Sequence, residues 1–132
     1  MAETQATPWL GTFVWNEIGT RDMATAKTLF ASLFGWKVED RDMGPGGTYT
    51  IFKSGDKQVG GGWELKGEKA EGVPTHWMGY LGVENADATV KAAERLGMEI
   101  KIPVTVIPDV GRFAVLDHPA TGRFAILEPK PM

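Results

Sequence analysis

Few residues in this chain could do chemistry. It carries no cysteine and two histidines, His76 and His118, against 17 Asp+Glu. The missing thiol rules out disulfides, cysteine-ligated zinc, iron–sulfur clusters and thiol catalysis together. The carboxylate–imidazole set that remains is Glu17, His76 and Glu128. Their oxygen and nitrogen donors suit a divalent ion, and Glu17 alone could serve as a general base. The competing reading makes Glu17 a solvated or ion-paired carboxylate and His76 a strand-start residue after the Pro74 turn. Ser54-Gly55-Asp56-Lys57 matches Ser-x-x-Lys, but that chemistry needs both residues on one helical face, and this stretch reads as a hairpin turn. Gly60-Gly61-Gly62 is followed by neither Lys-Ser/Thr nor a helix start, so it is no phosphate loop. It reads as a bulge, or as a strand that a ligand or a second backbone approaches closely. His118, in Asp117-His118-Pro119, belongs to a turn.

The elements that must position these residues follow from pattern. After a polar lead-in, Met1–Pro8, the stretch Thr12–Thr20 reads as a strand. Asp22 is an N-cap for a helix over Met23–Phe34, with Met23, Ala26, Phe30, Leu33 and Phe34 as its inward stripe and Gly35 ending it. Strands are expected at Trp36–Asp40, Thr48–Lys53 and Lys57–Leu65, with Gly44–Gly47 as a loop. The polar segment 66–75 is a linker. The order then repeats: strand His76–Val83, N-cap Asn85, helix Ala86–Leu96 with Ala86, Val90, Ala93 and Leu96 inward, and Gly97. Strands at Met98–Ile107, Val110–Asp117 and Arg123–Glu128 follow. Pro103 marks its strand as an edge or a bulge. The caps Asp22 and Asn85 stand about 63 residues apart, which describes two copies of a βαβββ unit in one α+β domain.

This pattern resembles the vicinal oxygen chelate superfamily of glyoxalases, bleomycin-resistance proteins and extradiol dioxygenases. The resemblance rests on strand–Asp22–helix ending Leu33-Phe34-Gly35-Trp36, on Gly111–Val115, and on the hairpin Asp117-His118-Pro119-Ala120-Thr121-Gly122. It covers Gly11 to about Pro129. It implies two tandem modules, about 11–65 and 76–129, forming a curved mixed sheet around a cup with the helices outside. Metal-dependent members place His, Glu or Gln at four strand positions aimed into the cup. Here those positions fall on Trp15, Met78, Gly60-Gly61-Gly62 and Ile126, and no metal or other cofactor is expected. A displaced metal held by Glu17, His76 and Glu128 is the alternative.

Two-residue alternation puts Phe13, Trp15 and Glu17 on one strand face, Met78 and Tyr80 on its counterpart, and Phe124 and Ile126 on the last strand. With Gly61, these are the expected ligand-binding residues: an apolar, adaptable wall around a flat molecule, with one carboxylate to orient a polar or cationic group. The alternative is that these side chains fill the cup as core. The reading is therefore a metal-independent protein that binds, and sequesters or carries, a small partly aromatic molecule. The alternatives are a glyoxalase- or lyase-type enzyme with Glu17 as base, and a structural or regulatory dimer module. A net charge of −3 without a basic stretch argues against nucleic acid and anionic membrane as partners. No apolar run is long enough for a membrane span, and Met1–Leu10 lacks signal-peptide regions, so the expected location is cytoplasmic. Unpaired strand edges make a homodimer the expected assembly.

Overall fold

The computed structural model describes residues 9–108 and 110–130. Met1–Pro8, read above as a lead-in, lies outside them. In chain order the elements are β1 (Phe13–Thr20), α1 (Met23–Phe34), β2 (Lys37–Asp42), β3 (Thr48–Ser54), β4 (Lys57–Glu64), β5 (His76–Gly82), α2 (Ala86–Arg95), β6 (Glu99–Ile107), β7 (Gly111–His118) and β8 (Gly122–Pro129). Single 3₁₀ turns occupy Gly44–Gly46 and Glu68–Ala70. The βαβββ order thus occurs twice, as the caps foretell.

Two compact units divide the chain: Trp15–Met78, and Met1–Val14 with Gly79–Met132. Their boundaries fall inside β1 and β5. Within Trp15–Met78 the strand order is β2-β3-β4-β1, with β1 and β4 parallel and the other pairs antiparallel. The Asp22 carboxylate accepts from the Thr25 N–H at 3.0 Å and starts α1. Gly35 ends it at φ 70°, a left-handed conformation that glycine adopts without a Cβ penalty. Met23 and Ala26 of α1 pack with Ile18 and Phe52 as a buried cluster, with Phe30, Trp36 and Val59 around it.

The other unit has the matching order β5-β8-β7-β6, with β5 and β8 parallel. Asn85 caps α2 by accepting from the Ala88 N–H at 3.0 Å. Ala86 and Ala93 of α2 pack on Ala114, Leu116 and Ile126. β6 stands at the end of the order, and its register with β7 shifts on either side of Ile102. Pro103 therefore sits on a bulged edge strand, where its missing N–H breaks no interior ladder.

The inward stripes end sooner than the periodicity implies. Leu33 and Phe34 are 69% and 58% exposed, and Leu96 is 78% exposed. Buried packing on α1 stops with Phe30, whose ring meets Phe52 and Trp36, and the final turn carries Leu33 and Phe34 past it. Leu96 is itself the cap residue at which α2 stops, so it no longer follows the helical face.

The start of α2 is also held from β8. The Glu128 carboxylate accepts from the Ala86 N–H at 2.9 Å and from Arg112, whose guanidinium also reaches Asp87 at 2.7 Å. The Arg112 hydrogen bond, then the Ala86 N–H, hold the Glu128 carboxyl below its ordinary 4.5. A carboxyl depressed in the folded state stabilises the fold above its unfolded value and stops doing so as pH falls through the folded value. Glu128→Gln is therefore expected to melt lower than the parent at pH 7, with the gap closing as pH drops below about 4. Thermal melts at pH 7 and pH 3 check this.

Candidate functional site

Chemistry concentrates on the face of the β2-β3-β4-β1 sheet turned away from α1. Ile18 faces the helix cluster, so by alternation its neighbour Glu17 faces the other way. Glu17 is 9% exposed and stands opposite Gly61 of β4. Gly61 also stands opposite Ile51 of β3, and Tyr49 lies two residues from Ile51 on the same face. The Trp15 indole N–H donates to the Tyr49 hydroxyl oxygen at 2.7 Å. The Tyr49 hydroxyl in turn donates to the Glu17 carboxylate. Trp63, opposite Tyr49 in register, sets its ring 4.8 Å from the Tyr49 ring at 62°, an edge-to-face contact.

These contacts make a directed chain: indole N–H to phenol, phenol O–H to carboxylate. Each hydrogen bond polarises the next, and the low dielectric of a buried site strengthens both. Burial, and then the negative charge of Glu17, push the Tyr49 phenol above its ordinary 10, so it remains a proton donor at neutral pH.

The three glycines of β4 serve different neighbours. A β-carbon on Gly61 would overlap the Tyr49 hydroxyl and ring. One on Gly62, facing the other way, would lie 2.8 Å from Ile18 Cγ2 and Met23 Cε beneath α1. One on Gly60 would lie 2.8 Å from the Asn16 carbonyl oxygen, so a second backbone approaches the run there, as the sequence suggests, while side chains crowd Gly61 and Gly62. β3 and β4 shift register between Phe52 and Lys53, so an irregularity does lie next to the run.

The remaining candidates divide between the two units. His76 and Met78 are both half-buried in the first unit. The His76 ring lies against Gly19, with Nδ1 at 2.7 Å from the Pro74 carbonyl oxygen, a contact that requires Nδ1 to donate. In the second unit Phe13 lies over Gly79 and remains 69% exposed. Tyr80 is buried and faces Phe113 at 6.4 Å. Phe124 and Ile126 pack with Ala86 and Ala93 on the α2 side. They therefore lie on the opposite face of β8 from Ala125, which is paired with Tyr80. The alternation in β8 is one residue out of step with the expected inner face. Glu128 shares the α2 side and is held by Arg112 and the Ala86 N–H. His118 accepts from the Ala120 N–H at 3.0 Å within its turn, and Ser54 is exposed at the end of β3.

This donor set does not fit a divalent ion. Trp15 offers an indole N–H, which donates only, and Gly61 offers no side chain. The room in front of Gly61 holds the Tyr49 phenol. Among the described residues, no group of three or more His, Cys, Asp or Glu side chains is placed to hold a metal ion.

Reading the sequence by itself misses Tyr49 and Trp63. The signal was present, because a hairpin closing over Ser54-Gly55-Asp56 sets Tyr49 beside the Gly-rich half of β4. If the missing side chain of Gly61 is what admits the phenol, Gly61→Ala costs about 1–3 kcal/mol through overpacking. In a Tyr49→Ala background the same change should cost almost nothing. The two sites then couple strongly in a double-mutant cycle read by urea unfolding, and additive effects would deny the steric link.

Other proteins are similar to this chain in sequence. CFP32 of Mycobacterium tuberculosis, provisionally named a glyoxylase, is 36% identical over 121 residues, which is 92% of this chain and 45% of CFP32. The anthracycline biosynthesis protein DnrV of Streptomyces peucetius is 30% identical over 128 residues, covering 88% of this chain and 46% of DnrV. The chain spans less than half the length of either protein. Among solved structures, methylmalonyl-CoA epimerase from M. tuberculosis has the same fold, with a TM-score of 0.62 at 13% identity over 92% of this chain and 91% of the epimerase. Residues 10–125 match the family model of the Glyoxalase/Bleomycin resistance protein/Dioxygenase superfamily, and the chain belongs to that superfamily.

Proposed function

We propose that this chain binds a small, partly aromatic organic molecule without a metal and sequesters or carries it. The observation that carries this reading is the Trp15–Tyr49–Glu17 chain of hydrogen bonds, built over the side-chain-free Gly61. Trp15 and Trp63 offer faces on which a planar ligand can stack, worth about 0.5–1.5 kcal/mol beyond area burial. Glu17 would orient a polar group of the ligand, and Met78 would adapt to its outline. The likeness to an anthracycline biosynthesis protein agrees with a ligand of this kind. The proposal includes a homodimer acting in the cytoplasm. No helix among the described residues is long and apolar enough to cross a membrane.

One observation favours a second reading, a glyoxalase- or lyase-type enzyme with Glu17 as its base. Glu17 is buried and held by a phenol that keeps its own proton, an arrangement that fixes where a carboxylate points.

Calorimetric titration with an anthracycline tests the binding proposal. Trp15→Ala is expected to weaken binding about tenfold, a loss of about 1.4 kcal/mol, while the fold persists. No binding by the parent protein, with a loss of about 3–5 kcal/mol of stability on Trp15→Ala, would make Trp15 core instead. Glu17→Gln separates the two readings. A binding protein keeps its affinity for neutral aromatic ligands, whereas an enzyme loses turnover with binding intact.

A further inference from the structure

Gly19 of β1 is a second position where neighbouring groups use the room of a missing side chain. A β-carbon there would lie 3.1 Å from both His76 Cε1 and Leu65 Cδ2. Gly19 stands two residues beyond Glu17, so these groups close over the face of the sheet that carries Glu17 and Tyr49. Trp63 is opposite Gly19 in register and shares that face through its ring contact with Tyr49. The imidazole thus lies over a position one strand spacing, about 4.8 Å, from the Trp63 backbone.

The ring is held there from outside the sheet. Arg21, the residue after β1, donates to the Ala70 and Val73 carbonyl oxygens. The Leu65 N–H donates to the Thr20 carbonyl oxygen at 2.8 Å. The loop that leads to His76 is thereby tied to β1, and its Pro74 carbonyl oxygen accepts from His76 Nδ1 at 2.7 Å. With Nδ1 donating, the neutral ring keeps Nε2 as an acceptor. Among the described residues, none hydrogen-bonds to Nε2. Glu17 is 9% exposed and already accepts from Tyr49, whereas His76 is half-buried. A molecule entering along Trp63 therefore meets the imidazole before the carboxylate.

We infer that His76 sets the ligand class of this site: a planar aromatic molecule carrying a hydroxyl, which donates to Nε2 while the ring stacks on Trp63. The inference rests on the binding reading of the preceding section and names the group that the ligand must carry. An aryl ether has no proton to donate, and an aromatic carboxylate brings a like charge toward Glu17. Because Arg21 and the Pro74 carbonyl fix the ring beforehand, little ordering cost falls on the bound state.

Calorimetric titration at pH 8 with 2-naphthol and with its methyl ether tests this on the parent and on His76→Phe, with circular dichroism as a fold control. The parent is expected to bind 2-naphthol about tenfold more tightly than the ether, the effect of one hydrogen bond made or lost. His76→Phe should bind the two alike. A merely structural role for His76 would weaken both compounds together and leave their ratio unchanged. His76→Leu gives the same readout should His76→Phe fail to fold. A parent that binds both compounds alike, or a variant that keeps the hydroxyl preference, overturns the role of His76 and leaves the aromatic site standing. A parent that binds neither compound overturns the site and its ligand class together.

Discussion

The arrangement of this site depends on one absence, the side chain at position 61. Glycine there lets the Tyr49 phenol lie against the β4 backbone, opposite Glu17 in the parallel β1–β4 pair. From that position the phenol accepts from Trp15 and donates to Glu17, satisfying polar groups that burial would otherwise leave costly. No described buried side-chain nitrogen or oxygen lacks a partner. A His, Glu or Gln at 61 would need the same volume. The steric condition that admits the hydrogen-bond chain therefore also keeps any metal-ligating side chain away from position 61.

The second module shows the same backbone plan carrying different side chains. An offset of about 63 residues carries Trp15 to Met78 and Glu17 to Tyr80, and one residue more carries Tyr49 to Phe113 and Gly61 to Ala125. Pairings repeat accordingly: Glu17 with Gly61, and Tyr80 with Ala125. The second unit thus sets an aromatic pair, Tyr80 and Phe113, where the first sets a carboxylate and a phenol. Its carboxylate, Glu128, lies on the helix side and is occupied with Arg112 and the start of α2. The duplication repeats the pairing geometry and sets different side chains at the matched positions.

Much of the fold was legible because local signals agreed with one another. Asp22 and Asn85 announced the helices by side chains that satisfy free N–H groups, and α1 has the bounds its capping residues imply. Pro103 announced a bulged edge strand because it cannot donate to a ladder. Legibility failed where the answer depended on which face a strand turns. Alternation says that Phe124 and Ile126 share a face, but not which one. The pairing of Ala125 with Tyr80 and the packing of α2 on Ile126 decide it. The pull of Leu33 and Phe34 toward the core was misread for a related reason, since periodicity does not say how far packing extends along a helix. Tyr49 was missed because it lies far from Glu17 in sequence and is brought near only by the hairpin and the parallel pairing together.

Native mass spectrometry of the protein taken directly from cells, with elemental analysis of the same sample, tests the central claim most directly. A site organised by Tyr49 and Glu17 around an organic ligand predicts Zn, Ni, Mn and Fe well below one per chain, and a melting temperature unchanged by EDTA. Any retained mass should then be that of a small organic molecule. A divalent metal at one per chain, with stability lost on chelation, would contradict the account.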